Sequence, residues 1–310
     1  MLIIRNHSKI PEYLHGCVVA LGNFDGLHIG HQKVIDTAIA IAKNSGKSAA
    51  VLTFEPHPRR LFNPSLPPLR ITSLRSKIKL LQNSGIDFIR IIRFNKQFAN
   101  LSAENFIKDI LCEELQVSHV VTGDDFVFGN KRFGNVDYLK EMSGQLGFAA
   151  TICEQVNIDG ERCSSTRIRK LLELGKVGEI KHLLGREYSI SGRVIAGDKR
   201  GRTIGFPTAN ILPNRIFLPA QGVYAVIAKI AGQLVKGVAN IGTRPTFAGN
   251  HVLLEVHLFD FKEEIYGEHV EISLIEHIRA EQKFASFEEL KAQIAADCQT
   301  AKEILSGAAI

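Results

Sequence analysis

"CVVALGNFDGLHIGH" (residues 17–31) decides the fold. The first five residues are an apolar run of strand length. The next ten carry three glycines, one aspartate and two histidines, His28 and His31. A helix-period stretch over 30–43 follows, then a second apolar run, AAVLTF, at 49–54. Strand, Gly-rich turn, helix and strand make a parallel βαβ unit. The alternation continues. Apolar runs at 88–94, 118–122 and 148–153 are spaced by helix-period stretches at 73–83, 103–115 and 135–146. Ser102 is the expected N-cap of the 103–115 helix, with Phe106, Ile107, Ile110 and Leu111 as its apolar stripe. This half is expected to be α/β: an open, doubly wound, Rossmann-like sheet covered on both faces.

The pattern changes near residue 185. Residues 164–184 suggest two short helices. Beyond them the chain is β-rich, with runs such as "YSISGRVIAG" and "GVYAVIAKIAGQLVKGVAN" broken by Gly, Pro and Asn. "KIAGQLVKG" predicts a hairpin turning at Ala231-Gly232. Ser286 and Glu289 form a capping box for a terminal helix with Leu290, Ile294, Cys298, Ala301 and Leu305 on one face. Two domains are expected: 1–186, the open α/β sheet, and 187–310, a small antiparallel β-barrel with a C-terminal helix.

Composition bounds the function. The 310 residues are 45% hydrophobic and 23% charged, enough for a real core. No stretch reaches the roughly 18 apolar residues of a membrane span, and the first residues lack a signal-peptide layout. Five scattered cysteines without a CxxC suit reduced thiols in a cytoplasmic protein. The net charge of +6 is compatible with nucleic acid, but equally with nucleotides and other phosphates.

In an open parallel sheet, ligands bind beyond the carboxyl ends of the strands. The loop 22–31 lies there. A helix starting near Gly30 aims free N–H groups and its positive dipole end into that crevice, making an anion site. His28 and His31 flank it, and the dipole favours neutral imidazoles that donate N–H. Such donors suit phosphoryl or nucleotidyl transfer. The plain alternative, a turn with two incidental histidines, fits HxxH alone but not its strand-to-helix setting. "SGKS" at 45–48 is not a P-loop, because it ends a helix and precedes a strand.

The stretch resembles the HxGH signature of the nucleotidyltransferase superfamily. With "TFEPHP" (53–58), "TGDDFVFG" (122–129) and "CSSTRIR" (163–169), it resembles the adenylyltransferase module of the prokaryotic bifunctional riboflavin kinase/FAD synthetase family. "GRTIGFPTAN" (201–210), "GVANIGTRPTF" (237–247), "LEVHLFDF" (254–261) and "RAEQKF" (279–284) resemble that family's riboflavin kinase module. The motifs run in the family's order over most of the chain, with small departures at Thr122 and Cys163.

The resemblance implies two ATP-dependent reactions, riboflavin to FMN and FMN to FAD with release of pyrophosphate. His28 and His31 would act on the ATP phosphates, joined in the ATP site by Phe24 and Gly30. Ser164, Ser165 and Thr166 offer hydroxyls and helix N-terminal amides, and Arg169 a forked cation; an ordinary capped basic helix is the alternative. On the flavin side stand Phe54, His57, Asp125 and Phe128. His57 is either a ligand contact or a capping side chain, and of Phe126 and Phe128 one enters the core. In the second module Gly201, Arg202 and Gly205 belong to a basic loop that can wrap phosphates. Thr208 and Asn210, neutral oxygen donors two apart, suit Mg²⁺ carried by ATP. Glu255 is the expected base for the ribityl hydroxyl, with Asp260 its rival. Arg279 and Phe284 fall in the flavin-side loop.

The implied partners are small-molecule substrates (ATP, riboflavin, FMN and FAD), with no nucleic acid and no membrane; weak self-association stays open. Two other functions remain on the sequence: a nucleotidyltransferase for another phosphorylated substrate, and a non-catalytic flavin-binding regulator.

Overall fold

Parallel pairing follows the βαβ alternation. A computed structural model describes residues 1–5, 8–62, 67–196, 205–213, 215–246 and 249–307, which form two compact units, Met1–Ser164 and Ser165–Ile310. The first unit contains β1 (Leu2–Arg5), β2 (Val18–Leu21), α1 (Ile29–Ser45), β3 (Ala49–Glu55), α2 (Pro58–Phe62), α3 (Leu74–Gln82), β4 (Phe88–Arg93), α4 (Lys96–Ala99), α5 (Ala103–Asn105), β5 (His119–Gly123), α6 (Val136–Leu146) and β6 (Ala149–Cys153). A short hairpin, β7 (Asn157–Ile158) and β8 (Glu161–Arg162), follows.

The six-stranded sheet has the order β1-β4-β3-β2-β5-β6, and every pairing is parallel. From β2 the chain adds β3 and β4 on one side, then β5 and β6 on the other. The switch therefore lies between the C-terminal ends of β2 and β5. Strand period two feeds two cores. Val19, Leu21, Leu52 and Val120 pack with Phe106, Leu111 and Leu139 on one face. Val18, Ala20, Val51 and Val121 pack with Val34, Ile35 and Leu81 on the other. Each large apolar side chain so buried stabilises the fold by about 1.5–3 kcal/mol.

Two local features differ from the sequence expectation. β1 was not anticipated; its four residues are too few to show a period, and pairing with β4 defines it. The expected 103–115 helix begins under Ser102, whose Oγ accepts the Asn105 N–H at 3.0 Å, but α5 gives way to a π-helix over Phe106–Glu114. Its wider turn keeps Phe106 and Leu111, five residues apart, on the buried side. Gly46 ends α1 in a left-handed C-cap with φ 66, so "SGKS" is a helix stop.

The second unit opens with α7 (Ser165–Glu173) and α8 (Val177–Leu184). Then come β9 (Tyr188–Ile195), β10 (Ala209–Pro213), β11 (Gly222–Ile230), β12 (Gln233–Thr246), β13 (Gly249–Leu258) and β14 (His269–Ala280), closed as an antiparallel barrel in the order β10-β13-β12-β11-β14-β9. β11 and β12 turn at Ala231 (φ 47) and Gly232 (φ 93), the expected hairpin. The final helix, α9 (Phe287–Ser306), is capped by Ser286, whose Oγ accepts the Glu289 N–H at 3.2 Å. Its Cys298, Ala301 and Leu305 pack against Val223, Ala225 and Val238 on the outer barrel wall. Compactness groups α7 and α8 with the barrel: α8 buries Val177, Ile180, Leu183 and Leu184 and packs on β14 and β9.

Candidate active sites

The loop from β2 to α1 is built to aim donors. Phe24 (φ 48), Gly26 (φ 85) and Leu27 (φ 45) hold left-handed backbone, which turns the chain sharply. Threonine hydroxyls anchor it on both sides: Thr53 donates to the Asn23 carbonyl at 3.1 Å and Thr122 to the Leu21 carbonyl at 3.0 Å. Thr122, one of the two departures from the family motifs, thus has a structural role. His28 is the N-cap of α1, and its Nδ1 accepts the His31 N–H at 3.3 Å. An accepting Nδ1 places the proton of the neutral ring on Nε2, which makes that nitrogen a donor. The His28 and His31 rings stack 3.6 Å apart, and the Phe24 ring meets His31 edge-on at 5.4 Å.

Charge on His31 is suppressed. Burial drives the His31 imidazolium well below its ordinary range, and the neighbouring His28 and Lys77 push it further down. His31 Nδ1 is buried without a hydrogen-bond partner among the described residues. Gly30 makes the stack possible, since a Cβ there would lie 3.2 Å from the His28 ring and 3.7 Å from the Cys163 carbonyl. Phe24, His28, Gly30 and His31 are therefore one constellation, at the sheet's switch point.

The flavin-side residues divide. Phe54 and Phe128 are buried in one core cluster, linked ring to ring through Phe106. Phe126 is the partly exposed member and stacks on Phe128 at 5.5 Å. Any effect of Phe54 and Phe128 on a ligand thus passes through the shape of this aromatic core. His57 takes the capping option, its Nδ1 accepting the Arg59 N–H at 3.3 Å in the first turn of α2. Exposed Asp125 pairs with Arg162 at 2.7 Å, tying the loop after β5 to β8. Ser164 is the last residue of the first unit. Ser165, Thr166 and Arg169 lie on α7, whose first residues carry the expected N-terminal amides.

The second constellation lies mid-strand. Leu254, Val256 and Leu258 of β13 are buried in the barrel interior, so Glu255 and His257 face outward. Glu255 stands directly opposite Asn210 of β10 and Asn240 of β12. Directly opposed residues share a face, so a carboxylate and two amides form one layer. Asn210 is buried, and Thr208 precedes it by two in the extended approach to β10. His257 Nδ1 lies 2.8 Å from the Pro207 carbonyl; a carbonyl only accepts, so Nδ1 carries the proton. That bond fastens the Thr208–Asn210 segment to β13. Asp260 sits outside β13, exposed in a left-handed turn with φ 54.

Gly205 is a left-handed turn residue (φ 90), whereas Gly201 and Arg202 lie outside the described residues. Arg279 forms a two-pronged pair with buried Asp297 of α9, at 2.9 and 2.7 Å, and its guanidinium lies 5.8 Å from the Phe284 ring centre. The expected flavin-side pair is thus together, and Arg279 also clamps the terminal helix.

Sequence reasoning missed Asn240 and Lys77. Asn240 needs the β12–β13 register to be seen. Lys77 had a signal: it occupies the core-facing position of the stripe Leu74, Lys77, Ile78, Leu81. No cluster of His, Cys, Asp or Glu among the described residues could hold a metal by itself, and no helix among them is long and apolar enough to cross a membrane.

Comparison with known proteins matches both halves of the chain. The FAD synthetase family matches residues 10–167, and the riboflavin kinase family matches residues 184–305. A bifunctional riboflavin kinase/FMN adenylyltransferase of Escherichia coli (strain K12) is 43% identical, covering 97% of this chain and 96% of its own. One from Haemophilus influenzae is 44% identical, with 97% and 98% covered. A crystal structure of a macrolide-efflux protein from Streptococcus pneumoniae superposes with a TM-score of 0.87 at 31% identity, covering 100% of both chains. With a parallel-sheet unit and a closed-barrel unit each matched to its own catalytic family, the chain belongs to the bifunctional riboflavin kinase/FMN adenylyltransferases, a family of ATP-dependent transferases.

Proposed function

We propose that the two constellations divide the two steps of FAD synthesis between them. The neutral His28–His31 stack at the N-terminus of α1 carries this reading for the second step. An FMN phosphate oxygen attacks the α-phosphorus of ATP, and pyrophosphate leaves. Nε2–H of His28 and an N–H of His31 donate to oxygens on which negative charge grows. Ser164, in the same unit, adds a hydroxyl for the departing pyrophosphate. Cys163, which leads into that residue, approaches Gly30.

For the first step the supporting observation is the Asn210–Glu255–Asn240 layer. Glu255 takes the proton from the ribityl hydroxyl as its oxygen attacks the γ-phosphorus, and ADP leaves. Thr208 and Asn210 offer one hydroxyl and one amide oxygen, a sparse, hard donor set. It fits Mg²⁺ that already carries phosphate and water ligands; bound there, the ion would neutralise phosphate charge. The activities are assigned to residues 1–186 and 187–310, in a cytoplasmic enzyme in which no disulfide joins the five cysteines. The test is a time course with riboflavin, ATP and Mg²⁺, separated by chromatography. FMN should rise before FAD, and FMN supplied alone should give FAD directly. Failure to convert either substrate would overturn the reading.

A further inference from the structure

Lys77 is a buried charge that the two reaction steps leave unused. It is 5% exposed on α3, and lysines are almost never buried unless paired. Its Nζ donates to the Asn23 carbonyl at 2.6 Å. The nearest countercharge is Asp25, itself 3% exposed, whose Oδ1 accepts the backbone N–H groups of Ile71 at 2.9 Å and Thr72 at 3.3 Å. Arg70, just before them, pairs with Glu55 at the end of β3. Residues 70–77 therefore hold Asn23 and Asp25, and between those two sits Phe24, left-handed, 1% exposed and edge-on to His31.

Among the described residues, His28 and Lys77 are the charged or titratable groups that act on His31. His28 stacks on it from the helix cap, and Lys77 faces it from α3. Asp25 and Arg70 stand behind Lys77, with Glu55 on Arg70.

We propose that Lys77 is a positioning residue for adenylyl transfer: its ammonium, donating to the Asn23 carbonyl, pins the Asn23–Asp25 turn that sets Phe24 against His31. This rests on the role given to His31 under Proposed function. Burial brings Lys77 down to about 8, with Asp25 opposing and Arg70 assisting the shift. Its charge is present below that value and is lost as pH rises through it. His31, driven well below 6.5, stays neutral through the ordinary histidine range. FAD formation should therefore be flat on the acid side and fall on the alkaline side.

The test is the pH profile of FMN-to-FAD conversion by the full chain and its Lys77→Met and Lys77→Arg variants. Wild type should lose rate near the Lys77 value and show no acid limb in the ordinary histidine range. Lys77→Met should lose about 10–100-fold in kcat, the scale of a displaced catalytic group, with a smaller change in KM for ATP. Its alkaline limb should vanish, while the acid side stays flat because burial still holds His31 neutral. Lys77→Arg should keep the flat acid side and also lose the alkaline limb. Riboflavin phosphorylation, measured in the same samples, reports that the chain is folded. If Lys77→Met does not fold, the alkaline limb decides: its persistence in Lys77→Arg assigns it to another group and overturns the proposal. A Lys77→Met profile of wild-type shape overturns it too. His31→Ala separates the two failures. Normal FAD formation in that variant removes the histidine reading itself, whereas its loss beside an unchanged Lys77→Met profile removes only the role of Lys77.

Discussion

The two catalytic units use their strands in opposite ways. In the first, strands are scaffolding, and the proposed site sits past their ends, in a turn with three left-handed residues and a helix terminus. In the second, the proposed site is carried on strands side by side, and the register of β10, β13 and β12 aligns Asn210, Glu255 and Asn240. The contrast teaches where precision comes from. A loop site must be held by bonds from outside the loop, here from Thr53, Thr122, Lys77 and the amides that grip Asp25. A strand site is held by the ladder itself, and a one-residue slip would turn Glu255 into the barrel.

The largest test of that contrast removes the donors of the loop site. His28→Ala with His31→Ala should lower FAD formation by roughly 10²–10³ per donor lost, while FMN formation from riboflavin persists. Chromatography of both products checks it, and normal FAD output would dissolve the distinction between the sites. Next in size is the strand site. Glu255→Gln should cut FMN formation by about 10²–10⁴ and leave FMN-to-FAD conversion intact. Asp260→Asn, altered in an exposed turn, should do little; a greater kinase loss there would transfer the role.

A smaller effect separates the units. Residues 1–186 should convert FMN to FAD, and residues 187–310 should make FMN. Because α8 buries four apolar residues and packs on β9 and β14, a piece starting at 165 should melt at a higher temperature than one starting at 187. Equal melting would mean that α8 contributes nothing to the barrel. The smallest test is a control remote from both constellations. Gly46→Ala has open space for its Cβ but a φ of 66, so it should cost about 1 kcal/mol in backbone conformation and change neither activity. Urea denaturation measures it.

Much of this was legible in the chain. Alternating apolar runs and helix periods gave the parallel sheet, and Ser102, Ser286 and Gly46 marked helix ends through capping chemistry that is local by nature. The ring stack of His28 on His31 was foreshadowed by their spacing on one helix turn. What stayed hidden depends on distant partners. Asn240 becomes part of a layer only through β-register, and β1 exists only because β4 accepts it. Phe54, near the end of β3, and Phe128, in the loop after β5, could have faced either way; both pack on the Phe106 ring of the π-helix. Lys77 broke an apolar stripe, and a broken stripe commonly means a solvated side chain rather than a buried one.

Barrel closure has a consequence for synthesis on the ribosome. β9 pairs with β14, joining residues near 190 to residues near 272. The kinase layer therefore cannot be enclosed in a finished barrel until nearly the whole chain has emerged. The β2–α1 turn and its fasteners all lie within the first 122 residues, inside a unit that ends at Ser164. On the proposed assignment, translation delivers the machinery in reverse metabolic order, the site for the second reaction being available to fold before the site for the first.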